Sequence, residues 1–391
     1  RAPDGTLRVW NAETGDLKAG PFGEGQTGAV FTADGAAVVE YSAFRVRVWD
    51  STSGKLQTDV GGFPSSFRPN STGFGMAPHP DGRTLVLRTD GRVWRCEIAT
   101  DPKGKKTAPG EGRMLWESQV PKLEGPAPFG QPGVARPELA VSPDGSRVVL
   151  TGVPGGTRVL DAATGKPVGQ PLDDGGMSHR IQFSPDGKTV FLFPTPTLAG
   201  HPPGVRAWDV ESGKPLTPPL GQVSTGIPAF GVPPGVTQLD TVLTSGVAHD
   251  GKSVWTATAQ SIQFWEVPGA SPLGPPRWLP GRAAFVASAP STRRFLSVHG
   301  TRVYVWEATP EGAREESRMF DHPGLTAAAL SPDAAHLLTA GKAQPAVPDG
   351  GELRVWDLAA GKPAGPAIRC ASTPLRLAFH PGGKSVLANE E

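Results

Sequence analysis

The sequence predicts an all-β chain of repeated four-stranded antiparallel units that close into a ring. Three observations carry that reading. A turn of the type Ser-Pro-Asp-Gly recurs eight times along 391 residues. An alternating segment of the type Arg-Val-Trp-Asp follows seven of these turns, and an eighth stands near the N-terminus. Between these landmarks apolar and polar residues alternate with period two, and no segment has the spacing of an amphipathic helix.

The copies are read in chain order. The first internal copy, about 27–62, holds the turn Thr32-Ala33-Asp34-Gly35 and the segment Arg47-Val48-Trp49-Asp50. The second, about 72–120, holds His79-Pro80-Asp81-Gly82 and Arg92-Val93-Trp94-Arg95. The third, about 136–173, has Ser142-Pro143-Asp144-Gly145 and a Trp-less Arg158-Val159-Leu160-Asp161. The fourth, about 178–221, has Ser184-Pro185-Asp186-Gly187 and Arg206-Ala207-Trp208-Asp209. The fifth, about 240–280, has Ala248-His249-Asp250-Gly251 and Gln263-Phe264-Trp265-Glu266. The sixth, about 283–320, has a degenerate Ala289-Pro290-Ser291-Thr292 and Tyr304-Val305-Trp306-Glu307. The seventh, about 325–370, has Ser331-Pro332-Asp333-Ala334 and Arg354-Val355-Trp356-Asp357. The last turn, His380-Pro381-Gly382-Gly383, stands near the C-terminus, and its matching Arg8-Val9-Trp10-Asn11 stands near the N-terminus.

The fullest copies, such as Ser142-Pro143-Asp144-Gly145 and Ser184-Pro185-Asp186-Gly187, have the chemistry of type I: a side-chain acceptor first, Pro second, Gly last. Five copies add a second turn after the Trp segment: Thr14-Gly15, Ser53-Gly54, Thr164-Gly165, Ser212-Gly213 and Ala360-Gly361. Each copy thus supplies four strands, a to d. The first turn joins a to b, a variable loop joins b to c, and the second turn joins c to d. Strand a is built from small residues, as in Ala327-Ala328-Ala329, and strand c carries the Trp. Radial sheets crowd at the axis and diverge outside, so this gradient fits a β-propeller.

The turn and the Arg-Val-Trp-Asp-x-x-Thr-Gly segment together resemble the WD-repeat family, of the bacterial type, over nearly the whole chain. The resemblance implies a rigid ring that binds proteins or peptides and has no chemistry of its own. One departure stands out. The family often places a Gly-His pair before strand a to form a buried polar network, and here only Asp321-His322 sits near that place. Packing is therefore expected to suffice in most blades. The structural repeat positions are Trp10, Trp49, Trp94, Trp208, Trp265, Trp306 and Trp356.

The two ends complete one copy. Residues 373–391 supply strands a and b, and residues 1–22 supply c and d, which predicts eight blades with the last closed by N-terminal strands. The alternative is seven blades and a fragment of a longer array. The chain starts at Arg1 without a signal-like stretch, as expected of a processed chain or a piece of a longer protein, such as its sensory or regulatory segment.

Composition bounds the function. Gly 51 and Pro 43 make up about a quarter of the chain, close to the level that suggests disorder, but ten Trp argue for a packed core. Lys plus Arg number 38 against 37 acids, so no nucleic-acid partner is expected. No window approaches ~18 apolar residues, so no membrane span is expected either. Cys96 and Cys370 form neither a disulfide framework nor a metal pair. The expected molecule is a monomeric ring in the cytoplasm.

Long loops mark the candidate face. Residues 61–72, 117–136 and 221–238 are d–a connections and 194–204 and 341–351 are b–c connections, all on one end of a ring. Only 99–112 is a c–d insertion at the other end. Loops carry function more often than the scaffold below. The candidate protein-binding residues are Phe63, Phe67, Phe129, Arg136, His201 and Phe230, since exposed aromatics make good interface anchors. Each Phe has the alternative of covering its own blade.

Catalytic, cofactor and metal residues are expected to be absent. Gly246-Val247-Ala248-His249-Asp250-Gly251-Lys252-Ser253 matches a phosphate-loop pattern, but a strand follows it where that loop needs a helix. Gly23-Glu24-Gly25-Gln26-Thr27-Gly28 fails as a dinucleotide fingerprint for the same reason. His79, His249 and His380 occupy turn positions in different blades and read as turn caps. The Arg two residues before Trp reads as stem packing and cation–π contact. The alternative function is a propeller enzyme with a metal or quinone site in the central channel.

Overall fold

A computed structural model describes residues 6–22, 28–32, 34–41, 45–61, 75–81, 84–89, 92–97, 114–119, 138–153, 155–174, 179–194, 204–220, 244–247, 251–257, 261–280, 283–289, 294–309, 312–343 and 350–390. The chain is an all-β propeller of eight antiparallel blades in a ring, with no helix among the described residues. Blade 1 runs Gly28–Phe31, Ala37–Tyr41, Arg45–Asp50, Leu56–Gly61, and blade 2 runs Gly75–Pro78, Thr84–Thr89, Arg92–Glu97, Met114–Gln119. Blade 3 has Leu139–Val141, Arg147–Leu150 and Arg158–Asp161, and blade 4 has His179–Phe183, Thr189–Pro194 and Arg206–Asp209. In both, the fourth strand is reduced to two bridges, Thr157 to Leu172 and Leu160 to Pro167, then Val205 to Leu220 and Trp208 to Pro215. Blade 5 comprises Thr244–Val247, Ser253–Ala257, Ser261–Glu266 and Arg277–Trp278. Blade 6 comprises Phe285–Ser288, Arg294–His299, Arg302–Thr309 and Gly312–Asp321. Blade 7 has Ala327–Leu330, His336–Lys342 and Gly351–Asp357, with Lys362–Pro363 and Ile368–Cys370 sharing its outer edge.

Blade 8 joins the two ends of the chain. Pro374–Phe379 and Ser385–Glu390 pair with Leu7–Asn11 and Leu17–Phe22, and Trp10 stands opposite Val386. This blade then packs on blade 1. Leu7, Val9, Phe22 and Leu387 share a core with Val38, and Phe22 stacks on Trp49 at 5.1 Å. The eight-blade reading with N-terminal closure thus holds.

Inner strands a of neighbouring blades pack on each other from blade 2 through blade 8. Between blades lie continuous apolar layers, in which Val149, Val190, Phe191, Leu337 and Leu338 are fully buried. Each such side chain contributes roughly 1.5–3 kcal/mol of burial. No single blade could bury both its faces alone, so the stack is the unit of stability.

The turns hold their shape by side-chain bonds the motif dictates. Ser142 Oγ donates to Asp144 Oδ1 at 2.6 Å, and the amides of Ser146 and Arg147 donate back to Asp144 and Ser142. Thr32–Asp34, Ser184–Asp186 and Ser331–Asp333 repeat the pattern. The Ser142 hydroxyl and then the Ser146 amide hold the Asp144 carboxyl down to about 2. At the c–d turns, Asn11, Asp50, Asp161, Asp209 and Asp357 accept backbone amides in the same way. His79 and His380 stand in the Ser place and act as turn caps across blades. Each accepts an amide at Nδ1, from Asp81 and Gly382, while Nε2 reaches the carbonyls of Gly145 at 2.9 Å and Gly35 at 3.0 Å.

The Trp positions show both repetition and one offset. Trp10, Trp49, Trp208, Trp265, Trp306 and Trp356 all face the second residue of strand b. In blade 2 that register places Cys96 opposite Leu85 and Glu97 opposite Thr84. Trp94 therefore stands two residues early, where blade 1 has Arg47. The Arg-Val-Trp-Arg string imitates the motif, but Cys96-Glu97 fills its place.

Packing is not the whole account of the Trp. Trp49 donates to Glu40, Trp265 to Thr256, Trp306 to Ser297 and Trp356 to Thr339, each residue lying two beyond the facing one on strand b. In blade 7, His322 Nδ1 lies 2.8 Å from Thr339 Oγ1, completing a buried three-residue network. The expectation that most blades lack polar support is corrected to that extent. In blades 4 and 8 the corresponding residues are Leu192 and Ala388, and the indoles of Trp208 and Trp10 have no hydrogen-bond partner among the described residues. The Arg two residues before Trp lies over the ring at Arg206–Trp208 (4.9 Å) and Arg354–Trp356 (5.9 Å).

Candidate functional site

Strands a and c begin, and strands b and d end, at the same end of the ring. The connections 62–74, 120–137 and 221–243 (d to a) and 195–203 and 344–349 (b to c) leave from that end, and 98–113 (c to d) leaves from the other. Phe63, Phe67, Phe129, Arg136, His201 and Phe230 lie outside the described residues, as does His249. The strand ends that flank them are described, and of these only the a strands border the central channel.

The channel wall is made by the a strands. Their inner edges expose backbone groups that no strand pairs, and side chains from the preceding blade cover several. Glu138 accepts the Ile181 amide at 3.1 Å, and Gln182 accepts the Val247 amide at 3.3 Å. Thr326 Oγ1 donates to the Pro374 carbonyl at 2.6 Å. Each of these bridges crosses a blade boundary next to the axis.

One tier of the wall carries charge. The fourth residue before the a–b turn is Gly28, Gly75, Glu138, Arg180, Thr244, Phe285, Ala327 and Arg376 in blades 1 to 8. Glu138 and Arg180 are neighbours, and Arg376 is four blades from Arg180, on the opposite wall. Arg180 lies 4.6 Å over the Phe193 ring and is exposed to water. Burial lowers its guanidinium pKa, with Glu138 pulling the other way. Burial likewise raises the Glu138 carboxyl, and the Ile181 amide and Arg180 offset part of the rise. Arg376 is exposed, has no ion pair or hydrogen bond among the described residues, and follows Leu375, which is 48% exposed. Sequence reading missed this tier because its residues differ in kind. The signal was positional, a fixed offset from each turn.

Other charges at the loop end are structural. Arg88 is buried and donates to the carbonyls of Thr151 and Gly152 in the next blade. Glu352 is fully buried between Arg354 and Arg369. Among the described residues no three His, Cys, Asp or Glu side chains gather as a metal would require. No helix among them is long and apolar enough to cross a membrane.

No family model matches the sequence, and no curated protein matches it. Solved structures do match. The chain is similar to the C-terminal WD40 domain of Sif2, at 10% identity and a TM-score of 0.60, over 98% of this chain and 94% of that one. The likeness is one of fold. The dihydro-heme d1 dehydrogenase NirN, solved in complex with DHE, matches at 12% identity and a TM-score of 0.60, over 97% of this chain and 76% of that one. The computationally designed Ika8 protein matches at 18% identity and a TM-score of 0.55, over 93% and 95% of the two chains. Propellers of this shape therefore include a WD40 domain, an enzyme and a design, and shape alone does not select among them.

Proposed function

We propose that the chain is a non-catalytic propeller of WD-repeat type, a rigid platform that binds a protein or peptide across the loop end of its channel. The segregation of long connections supports this reading. Five of six leave from one end, while the turns of the other end are short and capped by their own Ser, Thr and Asp side chains. Bonds cross between blades beneath these loops, from Glu138 to Ile181, Gln182 to Val247 and Thr326 to Pro374. Within this reading the ring is a monomer, does not bind nucleic acid, and serves as a regulatory segment.

The test is capture of partners by the intact ring against a variant with Phe129→Ser and Phe230→Ser. The reading expects the variant to lose a specific partner while its melting curve is unchanged. Equal recovery by both would contradict it. A second reading, an enzyme with a metal or quinone site in the channel, draws on the likeness to NirN. Metal analysis and an absorption spectrum of the purified chain decide it, since a stoichiometric metal or chromophore would replace the platform reading.

A further inference from the structure

We propose that the charged tier of the channel mouth binds an acidic peptide segment, one carboxylate at Arg376 and a second at Arg180 across the channel. The inference rests on the platform reading and names the partner chemistry. Arg376 is the strongest element. Its guanidinium is exposed on the innermost strand, has no ion pair or hydrogen bond among the described residues, and is flanked in the tier by Ala327 of blade 7 and Gly28 of blade 1. A guanidinium offers a forked pair of donors that suits a carboxylate.

Arg180 is held differently. Its stem lies over Phe193 and its charge is balanced in part by Glu138, which is itself engaged with the Ile181 amide. The tier as a whole carries two guanidinium groups and one carboxylate, an excess of positive charge at the loop end of the channel. Low-dielectric walls concentrate such a field at the mouth, where a peptide held by the loops would arrive. Leu375, exposed beside Arg376, offers an apolar contact next to the charge. An acidic segment with interspersed apolar residues therefore fits, and a basic one is repelled.

The probe is a rhodamine-labelled peptide alternating Glu and Leu, with a Lys-Leu peptide as control, read by anisotropy on the full chain. The Glu peptide is expected to bind and the Lys peptide not to bind. Arg376→Ala is expected to weaken binding roughly tenfold, the loss of one charge-assisted contact. Arg180→Ala weakens it less, and Glu138→Gln tightens it by removing the opposing charge while keeping an acceptor for Ile181. Added salt reduces affinity in the parent more than in Arg376→Ala. Equal affinity for both peptides, an unchanged affinity in Arg376→Ala, or equal displacement by a single-stranded oligonucleotide would overturn the proposal. Its failure is separable from failure of the platform. Partner capture that depends on Phe129 and Phe230 but no binding of the Glu peptide refutes only the tier. The reverse result refutes only the loop face.

Discussion

His322 sits fully buried beside Thr339 and Trp356, and burial, with Arg354 adding to it, pushes its imidazole pKa from 6.5 down to about 4. The unfolded chain therefore binds a proton that the folded chain refuses. Stability from this site is whole above pH 6.5 and is lost as the pH falls from 6.5 toward 4, by about 3 kcal/mol at most. Denaturant unfolding at pH 7 and 4.5 should show a smaller difference for His322→Gln than for the parent. An equal difference would refute the assignment. The indole partners make a second prediction. Ser297→Ala strands the Trp306 indole and should cost about 1–3 kcal/mol, whereas Ala388→Ser offers the unpartnered Trp10 indole an acceptor and should gain up to about 1 kcal/mol. Thermal melts of the two variants check the opposite signs. Ala270 is a third case. It has φ 57° where other copies carry Gly at the c–d turn, so Ala270→Gly should stabilise by about 1 kcal/mol. At this scale the sequence told the turn chemistry fully, because Ser, Asp and Gly act on their own neighbours. The Trp network was less legible, because its acceptors vary among Glu, Thr and Ser.

Strands a to d differ in what their edges must manage. The outermost strand begins with a Pro opposite strand c in four blades: Pro167 faces Leu160, Pro215 faces Trp208, Pro272 faces Trp265 and Pro363 faces Trp356. Pro has no amide hydrogen, so it blunts an edge that could otherwise recruit another strand. In blades 8 and 1 the same place holds Leu17 and Leu56, both nearly half exposed. Replacing Pro215 and Pro363 with Val should leave the melting curve in place and raise self-association at high concentration, as read by light scattering. An unchanged scattering profile would count against the blunting role. Strand a has the opposite problem of crowding. A Cβ on Gly246 would fall 2.6 Å from the Trp255 ring, so Gly246→Ala should cost about 1–3 kcal/mol by forcing that ring aside. These elements explain what a motif search loses. The Gly-Lys-Pro of the outer strand reads as loop punctuation until its register is known. Trp94 passes for a repeat position because its neighbours imitate the motif, although Glu97 lies as far from Thr84 in sequence as Asp50 does from Ala37.

The whole molecule is a ring closed by its own two ends, and the proposed binding face rests on that closure. Much of the high Gly and Pro content falls at turns, outer edges and the connections of one end. Blade number and closure were legible because the repeat leaves half a copy at each terminus. The charged tier was not, since Glu138, Arg180 and Arg376 align only when the strands are stacked around an axis. Closure also sets the energetics. Leu7, Val9 and Phe22 bury against Val38 and Leu387, so the N-terminal strands tie blade 8 to blade 1. The most direct test compares the full chain with one lacking residues 1–22, by calorimetry and by hydrogen exchange at Ser385–Glu390 and Ala37–Tyr41. The closed ring predicts a large fall in melting temperature and loss of protection in both strands, together with loss of partner binding. An unchanged melting temperature and intact protection would contradict it.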